Sequence, residues 1–442
     1  MTQRYLDQFD EFSAGAAKAA PVWVNERRRA AIERFGTLKF PTTRNEDWHF
    51  TSVAPIAERE FTFVAARTGD VQSGSLEGLG FGGDDRWHSV VFVNGRHAAE
   101  LSDVSGLDPR VRVLSLADAW TTAPELAKRV GTIVSDEGAA FSALNTAFMP
   151  DGVVIHVPQD VELALPIHVL FVTDAHAAKT VMYPRNLIVI DRHAKATVIE
   201  SYVSLGDAAY FTNAVTETSI AEGASLEHVK VQREGRRAFH VGTTEAVQGR
   251  DSHFTSFSFA TGASLARTNI YTKLDGEGGG ATLNGLYMLD GEQHCDHQTR
   301  IEHVAPNCFS RELYKGVLDG RSHGVFNGKV YVHPEAQKTD GKQTNNTLLL
   351  SPDAQIDTKP QLEIFADDVK CTHGATVGRI DEVALFYMKS RGVNAEAARR
   401  LLIYAFAADV IETIERPEVR EALERSTLER FVVIETEKMV AV

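Results

Sequence analysis

Cysteine is scarce in this chain. The 442 residues hold three, Cys295, Cys308 and Cys371, odd in number, widely spaced and never in a CxxC pair. A disulfide framework is therefore not expected, and one chain cannot close a four-cysteine metal site. No run of 18 apolar residues occurs, so no membrane-spanning helix is expected. Positive charge is also short: 46 Lys and Arg against 60 Asp and Glu leave a net charge of −14, and no lysine–arginine run stands out. That argues against a nucleic-acid surface. The opening stretch MTQRYLDQFDEFSAG carries acids and lacks an apolar core. It does not read as a secretory signal, and a cytoplasmic protein is expected. What remains, 43% hydrophobic and 24% charged, suits two or three globular domains or one extended repeat array.

Four regions follow from the texture of the chain: 1–85, 86–150, 151–380 and 381–442. The first is helical and ends in a linker. The first fifty residues look helical, Ala17 to Phe35 carrying a basic run with Gly36 as the stop; PTTRNEDWHFTSVAP (41–55) then reads as a loop pinned by a buried Trp48, and 65–86, broken at Gly82-Gly83, as the linker. In the second region HSVVFVNG ends in Asn94-Gly95, a two-residue hairpin signal, with His97–Leu101 returning beside it. Helical patterns follow at Leu116–Val130 and Glu137–Met149.

From Gly152 the pattern becomes all-β. VVIHV, IHVLFV, NLIVI, ATVIESY, SLEHVKV, HFTSFSF, NIYTKL and VFNGKVYV are short apolar runs separated by Gly, Asp, Asn or Pro. A sandwich or barrel would use Asn284-Gly285 and Asn327-Gly328 as hairpin turns. A stacked coil would show similar segments at a fixed spacing. HAKATVIES (193–201), EGASLEHVK (222–230) and RDSHFTSFS (250–258) recur at offsets of 29 and 28 residues, and GASLARTNI and GGATLNGLY echo them. The parallel β-helix fits better. After Gly378 the period changes to 3.6: Asp381 and Asn394 cap two helices, Ala397, Leu401, Tyr404, Phe406 and Val410 line one side of the second, and Pro417 opens a third that runs to about Phe431. Such a tail cannot bury much alone and must dock on the β region or on a partner.

Several motifs carry candidate chemistry. GRSHG (320–324) matches a nucleophile elbow, but the strand-like VFNGKVYV follows where a helix is required. Gly324–Lys329 lacks the spacing of a phosphate loop. His294-Cys295-Asp296-His297, near His303, is the densest metal-capable cluster; Cys295 and His297 would share a strand face and offer soft ligands, against the alternative of a solvated turn after Asp290-Gly291. Asp367-Asp368 could serve polysaccharide chemistry, but neighbours on a strand face opposite ways. In QLEIFADDVKCTHGATVG (361–378), Cys371 and His373 fall on one face, roughly 7 Å apart. Alternation with Val369 turns Cys371 toward the core and leaves His373 the more accessible, so His373 is the sharper candidate.

The segment TKPQLEIFADDVKCTHGATVGRIDEVALFYMKSRGV (358–393) resembles the C-terminal signature of the SufB/SufD family of the SUF iron–sulfur cluster assembly system. KTDGKQTNNTLLLSPDAQIDTKP, HCDHQTRIEHVAPNCFSRELYKGVLDG, YPRNLIVIDRHAKATVIESY and PTTRNEDWHFT extend the resemblance over essentially the whole chain. VKCTHGATVG, and the lack of cysteine before residue 295, place it with the SufD branch. The resemblance implies a mainly β fold, a right-handed parallel β-helix core flanked by N- and C-terminal α-helical regions. It implies a non-enzymatic scaffold or accessory subunit that pairs with a SufB-type paralogue or with itself as a homodimer. It also implies docking of a SufC-type ABC ATPase on 381–431, where Asp381, Phe386, Tyr387, Arg391, Leu401, Tyr404 and Phe406 are the candidates. His373, with Cys371, would stand at the SufB–SufD interface where a nascent Fe–S cluster forms, His373 as a metal ligand shared with the partner. No cofactor is expected to stay on this chain alone. FAD is associated with the whole complex, although nothing here resembles a flavin fingerprint. The alternatives are a SufB-like stand-alone cluster scaffold, which three dispersed cysteines disfavour, and a carbohydrate-active β-helix enzyme.

Overall fold

In a computed structural model the described residues are 2–64, 69, 71–76, 79, 86–135 and 138–440, with side chains described to 429. From residue 153 to 378 the chain winds as a parallel β-solenoid, its strands falling alternately on two sheets. From Arg185 on, each strand pairs in parallel with the one two places on: Leu265–Leu274 with His294–His303, then His323–Val332, then Gln355–Ile364 in one sheet; Gly280–Leu289 with Phe309–Leu318, then Asp340–Leu349, then Lys370–Gly378 in the other.

The apolar runs are strands because they are β-branched and aromatic and are buried on both faces, as a parallel sheet requires. One face fills the solenoid; the other carries helices. One corner repeats a left-handed residue at every turn. Asp160, His193, Gly223, Asp251, Gly278, Asn307 and Lys338 all have φ between 51° and 76°. Each donates its backbone N–H to a carbonyl one turn on, from Asp160 to Arg192 through Lys338 to Asp368. Gly, Asn and Asp tolerate that conformation, which explains the separators between the apolar runs.

Helices Thr2–Ala14, Val22–Leu38 and Ala140–Phe148 lay an aromatic cluster (Tyr5, Phe9, Phe12, Phe35, Phe141, Phe148) on the outer face of one sheet, against Phe211, Phe239 and Leu265. Two buried ion pairs fix this cover. Arg185 meets Glu217 at 2.7 Å with both side chains fully buried, and Glu217 also accepts the N–H groups of Gly131, Ile133 and Val134. Arg267 meets Asp296 at 2.7 Å and lies 3.7 Å over the Trp48 ring, while Thr51 donates to Asp296 at 2.6 Å. Helices Ala395–Ile411 and Pro417–Val440 cover the other sheet: Ile403, Ala407, Val410, Ile411 and Leu423 pack on Val229, Phe257, Phe259 and Leu286.

Several expectations are corrected. The second helix starts at Val22 and runs through Gly36 to Leu38, since one glycine costs a helix only about 1 kcal/mol. Trp48 is half-buried, stacked between Arg267 and Phe141. The returning arm of the hairpin is Arg96–His97 alone, with Ala99–Leu101 a short 3-10 turn. The helical stretch from Leu116 breaks at Ala123 and resumes only as Pro124–Ala127, and the helix after it is Ala140–Phe148; Glu137 and Gly82-Gly83 lie outside the described residues. Asn284-Gly285 and Asn327-Gly328 are inside strands, as the preferred parallel β-helix requires and a sandwich or barrel does not. Lys195 pairs with Ser225, so the first repeat offset is 30 residues rather than 29, and GASLARTNI and GGATLNGLY belong to opposite sheets. Turn lengths vary from 26 residues (Phe239 to Leu265) to 33 (Val154 to Leu187), which blurred the repeat. The buried side of Ala395–Ile411 is Ile403, Ala407, Val410 and Ile411; Leu401 is 51% exposed. The last helix extends to Val440.

Removing the carboxylate from the Arg185–Glu217 pair strands a buried guanidinium. Glu217→Ala is expected to lower unfolding stability by about 3–5 kcal/mol, read by denaturant titration; a loss below about 1 kcal/mol would mean that the pair does not hold the cover.

Candidate interface site at the end of the solenoid

Gln355–Ile364 and Lys370–Gly378 are the last strands of their sheets, and each is hydrogen-bonded to a neighbour on one side only among the described residues. Their outer edges present unpaired backbone N–H and C=O groups. Pro360 lies in one of these strands, where a missing donor is tolerated. The side chains here are half-buried or exposed, unlike those of the earlier turns.

Cys371 and His373 lie on this last turn, in register with Gly341 and Gln343. A Cβ built on Gly341 would stand 3.3 Å from Cys371 Sγ, so Cys371 faces the interior side. It is half-buried beside Val330, Val332, Ala336 and Ala366, and burial pushes its thiol pKa up. His373, two residues on, takes the same side of the strand and is exposed, because no further turn covers it.

The His294–His303 stretch is not a solvated turn but a buried strand. Asp290-Gly291 makes the corner that precedes it. Cys295 and His297 do share a face, Sγ to Nδ1 at 3.7 Å, inside the core. His297 lies 3.1 Å from Ser258 Oγ and packs on Tyr287 and Tyr314. Burial drives its pKa down to about 4 and raises that of the Cys295 thiol, which opposes the thiolate a metal needs. Among the described residues no group of three or more His, Cys, Asp or Glu side chains is arranged to hold a metal. Asp296 faces the other way, onto Arg267. Asp367 and Asp368 are exposed in a bend.

On the C-terminal helices, Asp381 caps the first by accepting from Val383 and Ala384 N–H. That helix, Glu382–Ser390, has no buried residue: Val383 is 76%, Phe386 72% and Tyr387 58% exposed. Arg391 lies over the Tyr387 ring and donates to its hydroxyl at 3.0 Å. Leu401 and Tyr404 line a shallow groove with Met388, Leu402 and Ala405. Phe406 turns toward the solenoid instead, with Lys315 Nζ 4.5 Å from its ring centroid.

Two residues at the site were not singled out from the sequence. Glu312, Gln343 and His373 occupy one inward position on three successive turns. Gln343 donates to Glu312 at 2.6 Å, and both are buried. Their signal was a pair of polar residues at inward positions of alternating strands, visible only once the register is known. Burial raises the Glu312 pKa from 4.5 to about 7, against hydrogen bonds from Thr299 and Gln343. The folded state thus holds this proton more tightly than the unfolded chain, and its contribution to stability is intact below pH 4.5 and lost as pH rises through about 7. Glu312→Gln is expected to be more stable than the parent at pH 8 by up to roughly 3 kcal/mol, with the gap closing at pH 5. Equal gaps in urea unfolding at the two pH values would show that Glu312 is not the titrating group.

Comparison with known proteins completes the description. Residues 171–406 match the family described as SUF system FeS cluster assembly, SufBD core domain, and residues 1–169 match the SufBD protein N-terminal region. An iron–sulfur cluster assembly SufBD family protein of Synechocystis sp. is 34% identical over 406 residues, 89% of this chain and 88% of that protein. The iron–sulfur cluster assembly protein SufD of Escherichia coli is 34% identical over 408 residues, 91% of each chain. The chloroplastic protein ABCI7 of Arabidopsis thaliana is 28% identical over 424 residues, 93% of this chain and 86% of that one.

Proposed function

The chain belongs to the SufB/SufD family of SUF iron–sulfur cluster assembly, and from that premise we propose that it is a non-enzymatic scaffold subunit of the SufD type, pairing with a SufB-type paralogue and docking a SufC-type ATPase. The observation that carries this reading is the final turn: two strand edges without partners among the described residues, beside an exposed His373 and a half-buried Cys371. A parallel ladder that simply stops exposes its donors and acceptors to any strand that can add to it. A paralogue with the same solenoid can present a matching edge; a second copy of this chain is the homodimeric alternative.

In the pair, His373 supplies a neutral imidazole nitrogen to iron of the nascent cluster, which is cargo rather than a resident cofactor, and the partner supplies the other ligands. Cys371 is a supporting ligand whose thiol must first lose its partial cover. The ATPase docks on the exposed apolar side of Glu382–Ser390 and the adjoining groove at Leu401 and Tyr404, since patches of Val383, Phe386 and Tyr387 at this exposure mark interaction surfaces. No helix among the described residues is long and apolar enough to cross a membrane, and a cytoplasmic place of work is part of the proposal.

Two substitutions separate the surfaces. His373→Ala is expected to leave co-purification with both partners intact while SUF-dependent cluster maturation in cells falls at least tenfold; unchanged maturation would remove His373 from the site. Phe386→Asp is expected to abolish co-purification of the ATPase and keep the paralogue, with thermal unfolding of the chain unchanged because Phe386 is exposed. Retention of the ATPase would place its dock elsewhere.

A further inference from the structure

We propose that Gln343 is the positioning residue for His373: its side-chain carbonyl accepts one ring N–H of the imidazole, and Glu312, one turn deeper, holds Gln343 in the orientation that allows it. The inference rests on the reading of His373 as the interface ligand and adds what orients that ligand.

The three residues lie one above another at the same inward position, Glu312 paired with Gln343 and Gln343 with His373, on strands about 4.8 Å apart. Gln343 Nε2 donates to Glu312 Oε2 at 2.6 Å. Above about pH 7, where Glu312 is ionised, that bond decides which end of the amide is which, because a carboxylate only accepts and Nε2 is the only donor on the Gln343 side chain. It leaves Oε1 as the free acceptor, and among the described residues this buried atom has no donor. Buried acceptors are seldom left unpaired, and the group stacked on Gln343 at the next turn is the His373 imidazole. The amide is also confined from the facing sheet. Any side chain at Gly328 would collide with Gln343 Nε2, and Phe326 stands beside that point, so glycine there makes the room the amide uses.

A neutral imidazole carries one N–H and one lone pair. A carbonyl that takes the N–H fixes the tautomer and leaves the other nitrogen's lone pair available at the open end of the solenoid. A ligating histidine needs this support on its second nitrogen, and Gln343 supplies it without adding a negative charge beside the site. Glu312 touches neither the imidazole nor the cargo; its role is to keep Gln343 from rotating.

The tautomer can be read directly, with no cluster and no partner present. Full-length chain labelled with 15N and 13C in histidine is measured by NMR at pH 8, with His373 identified by the signals lost in His373→Ala. The parent is expected to show one dominant tautomer at His373. Gln343→Met fills a similar volume without a carbonyl acceptor and is expected to shift the tautomer ratio about fivefold, the effect of one ordinary hydrogen bond. Glu312→Gln offers a donor as well as an acceptor, so it no longer dictates the Gln343 orientation and is expected to move the ratio part of the way toward that of Gln343→Met; a parent ratio in folded Glu312→Gln would remove Glu312 from the arrangement. A parent ratio within twofold of free imidazole overturns the proposal whether or not a variant folds, and so does an unchanged ratio in folded Gln343→Met. A fixed tautomer together with normal maturation in His373→Ala cells would sink the functional reading and leave this one standing.

Discussion

The structure depends on the parallel hydrogen-bond ladder that joins each turn of the solenoid to the next. Every inner strand satisfies its backbone on both sides, and a buried polar backbone cannot do otherwise at acceptable cost. The ladder therefore transmits register: Glu312, Gln343 and His373 fall at one inward position because the turns below them are in step. It also has to end. At the N-terminal end strands Val153–Val157 and Ile167–Thr173 are paired on their outer side with Arg112–Ser115 and His88–Val93. At the other end the last turn has no such cap among the described residues. The asymmetry puts the exposed chemistry at one end of the molecule.

The helices complete the burial of the two outer faces by different means. On one sheet the N-terminal cover is aromatic and is located by the Arg185–Glu217 and Arg267–Asp296 pairs. Such pairs contribute little net stability but are costly to break, so they specify where the cover sits. On the other sheet the C-terminal helices use aliphatic packing, and only their first helix stays wholly uncommitted. One end of the tail is thus anchored while Val383, Phe386 and Tyr387 remain presented to solvent.

Much of this was legible in the sequence. The eight apolar runs are all strands, and Asp381 and Asn394 are caps, because those signals are local. The accessible His373 and inward Cys371 followed from period-2 alternation. What failed depended on context that the sequence does not carry locally. His294–His303 looked polar enough for a turn, yet its outward Asp296 is matched by Arg267 and its inward His297 by Ser258. Leu401 belonged to the helical stripe by spacing, but the sheet takes the neighbouring face through Ile403 and Ala407. Glu312 and Gln343 could not be found without the register.

The central claim is that the outer edge of the last turn is an interface. Amide hydrogen exchange across Lys370–Gly378, measured on the isolated chain and again after mixing with a SufB-type partner, tests it most directly. The account predicts exchange in the isolated chain faster there than in Asp340–Leu349, and strong slowing of that strand on pairing. Exchange that is unchanged by a partner shown to be bound would contradict it.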